Sequence, residues 1–422
     1  MEILIKCSFI ALLWLSQALC QYHEYDYDTD YGPDREEENT PQFPHQVDYG
    51  LPYFPHSSDC ARECLCTPAY PLTMHCDTRK LKAIPQIPSR INQLHLQHNE
   101  IEAVSAKAFI NATGLTELHL SHNKLRSNKI EIGAFAKINH LQQLYLQHND
   151  LEEIPSPLPS SLERLFLGSN KINKLRDQDL QGLVNLTMLD LCNNQIDVIK
   201  AKTLTKLKNL MQLNICNNKL HSMPIKLPAS LMYLSLENNS ITDIPQDYFS
   251  QLLNLTAIRL SHNKFEMVHR RIFDLPKLME LNLGHNKLHQ AFYIPKALEH
   301  LYLQDNEFEN LNITFMCPTM DPMNTNRLTY LRVDQNKLKG PISTFAFLCF
   351  PHLQSIYYGE QKRGSSDSPY IQGPVIPQFP MMEEDEDDDD RDDEPQYHGG
   401  YHPQYHAHEH EESDNDFEDY SY

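Results

Sequence analysis

The strongest constraint on the fold of this chain is a pattern of apolar residues that recurs along most of its length. In a typical unit, Leu141, Leu144, Leu146 and Leu151 occupy the apolar positions of L-x-x-L-x-L-x-x-N-x-L, and Asn149 occupies the polar one. One such unit cannot bury its own leucines, so successive units must stack to share a core. The pattern occurs eleven times, with its asparagine at Asn99, Asn123, Asn149, Asn170, Asn194, Asn218, Asn239, Asn263, Asn286, Asn306 and Asn336.

This pattern is the signature of the leucine-rich repeat. The L-x-L segment predicts a strand with alternating side chains, so Leu144 and Leu146 should point into the core and Tyr145 to the concave face. The asparagine should be buried and should pair with backbone groups of the following turn. We therefore predict a leucine-rich repeat solenoid of the α/β class, mostly β, with a curved parallel sheet. At a strand spacing of ~4.8 Å this sheet would be on the order of 50 Å long.

The spacing between successive asparagines predicts the composition of the outer, convex side. The spacings run long, long, short, between 20 and 26 residues, and the final one is 30. Long units place an aromatic residue such as Phe135 or Phe249 before the next strand, whereas short units place a proline there, as in Ile154-Pro155. Because proline lacks the donor that a helix needs, we expect short turns and extended segments with little helix.

The first twenty residues predict a secretory signal. Lys6 precedes an apolar run from Cys7 to Leu19, and Ala18 and Cys20 are suited to a cleavage site before Gln21. An uncleaved anchor is the alternative, although the run is short for a membrane span of ~20 residues. No later run of this length exists, so we expect no membrane insertion. Five N-x-[ST] sequons fit a secreted chain, at Asn111, Asn185, Asn238, Asn254 and Asn312.

Charge divides the rest of the chain into a basic centre and two acidic arms. Residues 21–59 hold ten acidic residues and one Arg, residues 60–363 hold 27 acidic and 33 basic residues, and residues 364–422 hold 19 acidic residues and one Arg. Neither arm can bury enough apolar surface to offset chain entropy, so both are expected to be disordered. The centre is divided into a cysteine cap at 60–90, repeats one to ten at 91–316, and the last repeats with a C-terminal disulfide cap at 317–363.

Eight cysteines follow the signal. Cys60, Cys64, Cys66 and Cys76 form C-x3-C-x-C-x9-C before the first repeat, and Cys317 and Cys349 flank the oversized last one. Four clustered cysteines can bind zinc, but an oxidising compartment and a position at the end of the array favour disulfides.

Cys192 and Cys216 occupy the same motif position in adjacent repeats, after Leu191 and Ile215. On neighbouring parallel strands, the Cα atoms of these two cysteines would lie ~5 Å apart, within the range of a disulfide. A reduced pair is the alternative.

The acidic arms predict modification and mineral binding. Tyrosines among acids in a secreted chain suit O-sulfation, against the alternative of an unmodified linker; they are Tyr22, Tyr25, Tyr27, Tyr31, Tyr420 and Tyr422.

The acidic run of the C-terminal arm predicts contact with mineral. Carboxylates are suited to Ca²⁺, but the spacing of this run matches no EF-hand loop, so we expect no cofactor and only weak, multivalent calcium or mineral contact. The acids concerned are Glu383, Glu384, Asp385, Glu386, Asp387, Asp388, Asp389, Asp390, Asp392, Asp393 and Glu394. A solvated run is the alternative. The histidines that follow could bind Zn²⁺ or Cu²⁺, but solvated side chains are favoured.

The concave face predicts a protein ligand. Aromatic residues and arginines dominate protein interfaces, and a polar, mixed face suits an extended ligand better than a small molecule. The alternative is a solvated face with scattered aromatics. The central outward positions are His95, His119, Tyr145, Phe166, Asp190, Asn214, Ser235, Arg259, Asn282, Tyr302 and Arg332, of which we exclude Asn214, Ser235 and Asn282 from the binding set.

Two other classes of protein compete with a matrix binding protein. The chain contains no G-x-S-x-G, H-E-x-x-H, P-loop or nucleotide fingerprint, so we expect no enzyme and no nucleic-acid partner. A receptor ectodomain or soluble immune sensor is the second rival, and the acidic arms favour the matrix over pathogen sensing. A soluble binding protein for a growth factor or receptor, without a mineral role, stays open.

The acidic Tyr-rich arm, the C-x3-C-x-C-x9-C cap, the long-long-short repeats and the pair of cysteines around an extended repeat resemble the class II small leucine-rich proteoglycans. The resemblance implies disulfides Cys60–Cys66, Cys64–Cys76 and Cys317–Cys349, keratan sulfate on some sequons, fibrillar collagen as a partner, and extracellular matrix. The acidic tail resembles a member from mineralised tissue, which implies hydroxyapatite affinity and cell attachment. The chain has no Arg-Gly-Asp, so an integrin contact would lack that motif.

Overall fold

A computed structural model describes residues 59–199, 201–318 and 323–362. One parallel sheet of 13 strands runs through it, and each strand pairs with the next in chain order. The strands are β1 (Thr73–His75), β2 (Gln93–His95), β3 (Glu117–His119), β4 (Gln143–Tyr145), β5 (Arg164–Phe166), β6 (Met188–Asp190), β7 (Gln212–Asn214), β8 (Tyr233–Ser235), β9 (Ala257–Arg259), β10 (Glu280–Asn282), β11 (His300–Tyr302), β12 (Tyr330–Arg332) and β13 (Ser355–Tyr357).

The strands confirm the predicted solenoid, and their in-register pairing makes its core continuous. In β4, Leu144 is fully buried, whereas Gln143 and Tyr145 on either side of it are only half-buried. Leu144 lies opposite Leu118 and Leu165 of the neighbouring strands. The central residues thus form one buried column, and the flanking residues form two columns on the concave side.

The structure has two more strands than the eleven repeats predict, one at each end. Met74 in β1 and Cys76 directly after it take the places of the two repeat leucines and are fully buried. Ile356 in β13 and Tyr358 directly after it take those places, and Gln361 takes the place of the asparagine. Gln361 donates from Nε2 to the carbonyls of Val333 and Tyr358, at 3.1 and 2.8 Å. The end repeats therefore keep the geometry with different residues, which the consensus pattern does not match.

The repeat asparagines join each turn to its neighbours. Asn149 donates from Nδ2 to the carbonyls of Leu120 and Leu146, at 2.9 and 3.0 Å. Its Oδ1 accepts from the backbone N–H of Leu125 at 3.0 Å. The side chain thus satisfies backbone groups of its own turn and of the preceding repeat, as predicted. All eleven repeat asparagines are buried except Asn218, which is half-buried.

The residue before each of these asparagines has left-handed backbone geometry. Its φ lies between 49° (Asn238) and 57° (His98) in all eleven repeats. Asn, Asp and His tolerate this region better than other non-glycine residues. This requirement is met by His in five repeats and by Asn in three.

The convex side consists of turns, extended segments and very short helices, as predicted. The α-helices are α1 (Ala201–Thr205), α2 (Ile313–Met316) and α3 (Phe345–Cys349), and 3-10 helices occupy Ala106–Phe109 and Ser127–Lys129. Buried phenylalanines of neighbouring long units touch beneath this layer. The ring centroids of Phe109 and Phe135 lie 5.8 Å apart, and those of Phe249 and Phe273 lie 5.7 Å apart. These rings fill the extra width of the long units.

Disulfides close the N-terminal end. Cys60 bonds to Cys66 and Cys64 bonds to Cys76, which is the pairing implied by the family resemblance. Leu65 exchanges two backbone hydrogen bonds with His75 in an antiparallel bridge, which covers the outer edge of β1. A third disulfide joins Cys192 and Cys216, whose Cα atoms lie 4.5 Å apart. The structure therefore resolves the open alternative in favour of a bonded pair.

The predicted Cys317–Cys349 disulfide is not formed in the structure, and this part of the prediction is corrected. Both residues are thiols, although α2 and α3 pack together. Each sulfur faces a backbone carbonyl: Cys349 Sγ lies 3.6 Å from the carbonyl of Cys317, and Cys317 Sγ lies 3.8 Å from that of Cys349. Burial and the neighbouring thiol raise the pKa of Cys349 to about 12.

Candidate interaction surface on the concave face

Two columns of side chains line the concave face, one on each side of the buried central residue. The predicted column follows the central residue, and it begins one strand earlier and ends one strand later than the sequence indicated, with His75 and Tyr357. The second column precedes the central residue and includes Glu117, Tyr233 and Glu280. The same alternation of side chains could have identified this second column from the sequence.

The N-terminal part of the predicted column is a continuous stack of rings, which we call the aromatic ladder: His75, His95, His119, Tyr145 and Phe166. Successive ring centroids are 4.8, 4.6, 4.0 and 4.5 Å apart, with interplanar angles of 5° to 22°. Neighbouring parallel strands lie ~4.8 Å apart, close to the distance between stacked rings, so equivalent rings on successive strands stack on one another. The ring faces are used within the ladder, so the ring edges are left for a ligand.

Polar neighbours fix the ladder. Glu117 Oε1 lies 2.6 Å from Nε2 of His119, and the Tyr145 hydroxyl donates to Gln143 Oε1 at 2.9 Å. Burial lowers the pKa of His95 to about 4, and the neighbouring His119 and His75 act in the same direction. His95 is therefore neutral at physiological pH. The ladder presents rigid, uncharged or paired rings instead of free cations.

A second stack of rings, which sequence reasoning missed, borders the first. His98, His122 and His148 occupy the left-handed position before the asparagine, with centroids 4.3 and 4.1 Å apart. His262 and His285 repeat the arrangement further along, at 4.0 Å. The recurring His-Asn dipeptide is the signal that could have identified this row.

The middle of the face contains Asp190 beside the Cys192–Cys216 disulfide. Asp190 Oδ1 accepts from the backbone N–H of Cys192 at 3.0 Å. Burial raises the pKa of Asp190 to about 6, and this hydrogen bond opposes the shift. Gly168 leaves room for the carboxylate, because a Cβ there would lie 3.3 Å from Asp190 Oδ2. The pKa of this carboxyl group therefore lies well above that of an exposed aspartate.

The C-terminal part of the face combines tyrosines with paired arginines. Arg259 forms an ion pair with Glu280 at 2.8 Å and lies 5.7 Å from the centroid of the Tyr233 ring. Burial by itself lowers the pKa of Arg259, but Tyr233 and Glu280 outweigh it and raise the pKa.

Further along, Arg332 pairs with Asp334 at 2.8 Å and lies 5.3 Å from the centroid of Tyr357. Tyr302 contacts Tyr330 at 5.4 Å. Tyrosine and arginine of this kind are typical of energetically dominant interface residues.

Four buried side-chain oxygens on the concave side accept no hydrogen bond within the described chain. They are Gln97 Oε1, Gln147 Oε1, Asn214 Oδ1 and Gln304 Oε1. Because an unsatisfied buried acceptor is costly, such atoms favour water or a ligand donor. They extend from the second to the eleventh strand, so a ligand that satisfied them all would have to be long.

The other predicted site residues fall into two groups. All five sequon asparagines are exposed, and Asn185 and Asn254 lie in the turns before their strands. Asn238 differs, because it occupies the left-handed position at the border of the concave face and donates to Asn217 Oδ1. The signal, the six tyrosines predicted to be sulfated, the acidic run 383–394 and the histidines after it lie outside the described residues. Within the described ranges, no cluster of His, Cys, Asp and Glu is arranged to hold a metal ion.

Comparison with known proteins identifies the family. The leucine rich repeat family matches residues 89–151, 159–196, 185–225 and 229–288. Osteomodulin from Bos taurus is 54% identical over 364 residues, which cover 85% of this chain and 86% of that protein. Osteomodulin from Mus musculus is 53% identical over 377 residues, covering 88% and 89%. Keratocan from Homo sapiens, a class II member, is 41% identical over 313 residues, covering 71% and 89%.

The chain belongs to the class II small leucine-rich proteoglycans. This membership makes it an extracellular-matrix proteoglycan built for structure and binding instead of catalysis. A solved leucine-rich repeat chain from an octameric complex of latrophilin 3, Unc5D and FLRT2 supports the fold of this proteoglycan, with a TM-score of 0.51 and 24% identity over 60% of this chain and 94% of that one. No helix in the described ranges of the proteoglycan has the length and apolarity needed to cross a membrane.

Proposed function

We propose that this protein is a secreted keratan sulfate proteoglycan that binds fibrillar collagen through its concave face and mineral through its acidic tail. It would thereby support cell adhesion and regulate biomineralisation. The observation that carries the proposal is the continuous concave surface, from His75 in β1 to Tyr357 in β13. At ~4.8 Å per strand it is on the order of 60 Å long.

A long protein rod suits this surface better than a compact ligand. The buried acceptors at Gln97 and Gln304 lie nine strands apart in the sheet order. Between them, the rings are already stacked and the arginines already paired, so binding would immobilise few side chains. A preformed face of this kind supports fibrillar collagen as the partner that the family implies.

The mineral role rests on the sequence of the tail. Eleven of the twelve residues from Glu383 to Glu394 are acidic. Many weak carboxylate–calcium contacts at a hydroxyapatite surface would add up through multivalency. No single tight calcium site is required, and no cofactor is proposed.

A pull-down of the matured protein with collagen fibrils and with hydroxyapatite tests both roles together. Three forms should be compared: the full chain, a deletion of 383–394, and a matched deletion of 395–406. The control segment has the same length and contains no Asp, Glu, Lys or Arg, although it includes His398, His402 and His406. We expect the first deletion alone to weaken adsorption to hydroxyapatite, at least tenfold, with collagen binding unchanged. Equal adsorption of all three forms would contradict the mineral role.

A second candidate is a soluble binding protein for a growth factor or receptor, without a mineral role. The mixed Tyr, Arg and Glu surface of β8 to β12 would suit a compact protein as well. Equal hydroxyapatite adsorption combined with absent collagen binding would favour this candidate. An integrin remains a proposed cell-surface partner, through a motif other than Arg-Gly-Asp.

Modification of the chain is also proposed. Keratan sulfate would attach to some of the five exposed sequons, and sulfate to at least two of Tyr22, Tyr25, Tyr27 and Tyr31. Intact-mass and peptide mass spectrometry of secreted protein, before and after keratanase, checks both. Unmodified peptides at all these positions would contradict them.

A further inference from the structure

The two ends of the solenoid are closed to different degrees. At the N-terminal end, Met74 of the first strand and the disulfide-bonded Cys76 that follows it have 0% exposure. At the C-terminal end, the inward residues Leu353, Ile356 and Tyr358 are only partly buried. The equivalent residues one repeat earlier have 0% exposure; they are Leu328, Leu331 and Val333. The core is therefore open at its C-terminal end, where no further repeat stacks in the described chain.

Exposed apolar side chains extend this open end. Phe347 and Leu348 of α3 are 51% and 65% exposed. Strand β13 is paired on one side only within the described sheet. A solenoid end of this kind needs a cover, because it exposes both apolar surface and unpaired backbone.

The sequence after the last described residue has the composition of such a cover. Residues 369–382, PYIQGPVIPQFPMM, contain no charged residue and seven large apolar ones. The acidic run begins at the next residue, Glu383. Ile376, Phe379 and Met382 follow a spacing of three, which would put them on one side of a polyproline helix. The four prolines lack N–H groups, so burying this segment would leave few donors unsatisfied.

The position where the described chain ends brings this segment within reach. Lys362 Nζ lies 2.8 Å from Asp305 and 3.0 Å from the carbonyl of Asn306, and Gln361 binds Val333. The chain thus leaves the solenoid beside its last repeats. Six residues, 363–368, precede Pro369 and can span up to ~20 Å.

We propose that residues 369–382 dock on the open C-terminal end of the solenoid and complete its core. The occupant is a segment of the same molecule. A second copy is a poorer fit, because each molecule would bring a tail of 19 acidic residues and one Arg to the same end. The inference is independent of collagen and mineral binding, since neither proposed ligand surface includes this segment.

Hydrogen exchange of the full-length chain tests the inference. The test variant is Ile376→Ser/Phe379→Ser, and the control is Tyr401→Ser/Phe417→Ser, which removes two aromatic residues further along the same tail. We expect amides 345–358 to exchange at least tenfold faster in the test variant and at the wild-type rate in the control. A reciprocal variant, Phe347→Ser/Leu348→Ser, should speed exchange of 369–382. The exposed Leu253→Ser, far from this end, serves as its control.

Two outcomes would overturn the proposal. Equal exchange of 345–358 in the wild type and in Ile376→Ser/Phe379→Ser would mean that the segment covers nothing. Protection of 345–358 that disappears on tenfold dilution, with a dimer in sedimentation, would mean that a second copy covers this end. Collagen and hydroxyapatite binding, measured on the same samples, are expected to be unchanged in every variant.

Discussion

At the scale of single residues, the repeat depends on the hydrogen bonds that one asparagine side chain makes to the backbone. The repeat asparagine donates to carbonyls of its own and of the preceding repeat and accepts from a backbone N–H of that preceding repeat, so no hydrophobic residue of similar size can replace it. Gln361 shows that a longer amide also serves at the end of the array. The preceding left-handed position selects His or Asn, and the histidine stacks of the concave border follow from that backbone requirement.

Replacing a repeat asparagine should therefore cost more than replacing an exposed one. We expect Asn149→Ala to lower the free energy of unfolding by about 3 kcal/mol, since several buried backbone groups lose a partner at about 1–3 kcal/mol each. The control Asn209→Ala removes an exposed amide bonded to the carbonyl of Val184 and should cost about 0.5 kcal/mol or less. Urea unfolding followed by circular dichroism measures both. Equal losses would contradict the role of the buried amide.

His95 and Asp190 should give the concave face opposite pH dependences. The folded pKa of His95 is lowered to about 4, so the unfolded chain binds the proton first and stability is lost as pH falls from 6.5 towards 4. The folded pKa of Asp190 is raised to about 6, so the folded chain binds the proton first and stability is gained as pH falls from 6 towards 4.

Urea unfolding at pH 7 and pH 5 separates the two groups. Relative to the wild type, His95→Gln should be more stable at pH 5 than at pH 7, and Asp190→Asn more stable at pH 7 than at pH 5. Each difference should be on the order of 1 kcal/mol. If each variant differed from the wild type by the same free energy of unfolding at pH 7 and at pH 5, neither group would titrate differently in the folded and unfolded states.

At the scale of elements, three-residue strands in exact register turn similar residues into continuous columns. The sequence predicts which column each residue joins, because the alternation of side chains is fixed within a strand. It does not predict that His95, His119 and Tyr145 stack face to face, since this depends on ring rotation and on the neighbours Glu117 and Gln143.

The end elements were harder to predict than the repeats. Strands β1 and β13 were missed because Met74, Cys76 and Gln361 replace consensus residues. The thiols of Cys317 and Cys349 depend on how α2 and α3 pack, which spacing alone does not define.

The position of Asn238 makes a prediction about glycosylation. A sugar chain on Asn238 would border the concave face, whereas one on Asn111 would lie in a convex turn after the 3-10 helix Ala106–Phe109. We expect Asn238→Gln to increase collagen affinity several-fold by removing this obstruction, and Asn111→Gln to leave it unchanged. Surface plasmon resonance on immobilised fibrils measures both variants, after mass spectrometry has established which sites carry glycans. An equal effect of the two substitutions would contradict the assignment of Asn238 to the border.

At the scale of the whole molecule, the proposed function is divided between the solenoid, which would bind collagen, and the acidic tail, which would bind mineral. The solenoid holds 13 strands in one sheet, with its ligand face preformed by stacking and ion pairing. The arms carry most of the net charge of −21, whereas the centre is modestly basic. The fold could be predicted from the periodic leucines alone, but the partner could not, because it depends on surface residues that the repeat leaves free to vary.

The measurement that tests the central claim most directly is collagen-fibril binding by a concave-face variant and a matched control. Tyr302→Ala/Arg332→Ala removes one tyrosine and one arginine from the face. Tyr70→Ala/Arg271→Ala removes the same side chains from exposed positions in the cap and on the convex side. We predict at least a 30-fold loss of affinity for the first variant, about 2 kcal/mol as expected for interface hot spots, and none for the control, with circular dichroism used to check that both variants are folded. Equal affinities of the two variants would contradict binding through the concave face.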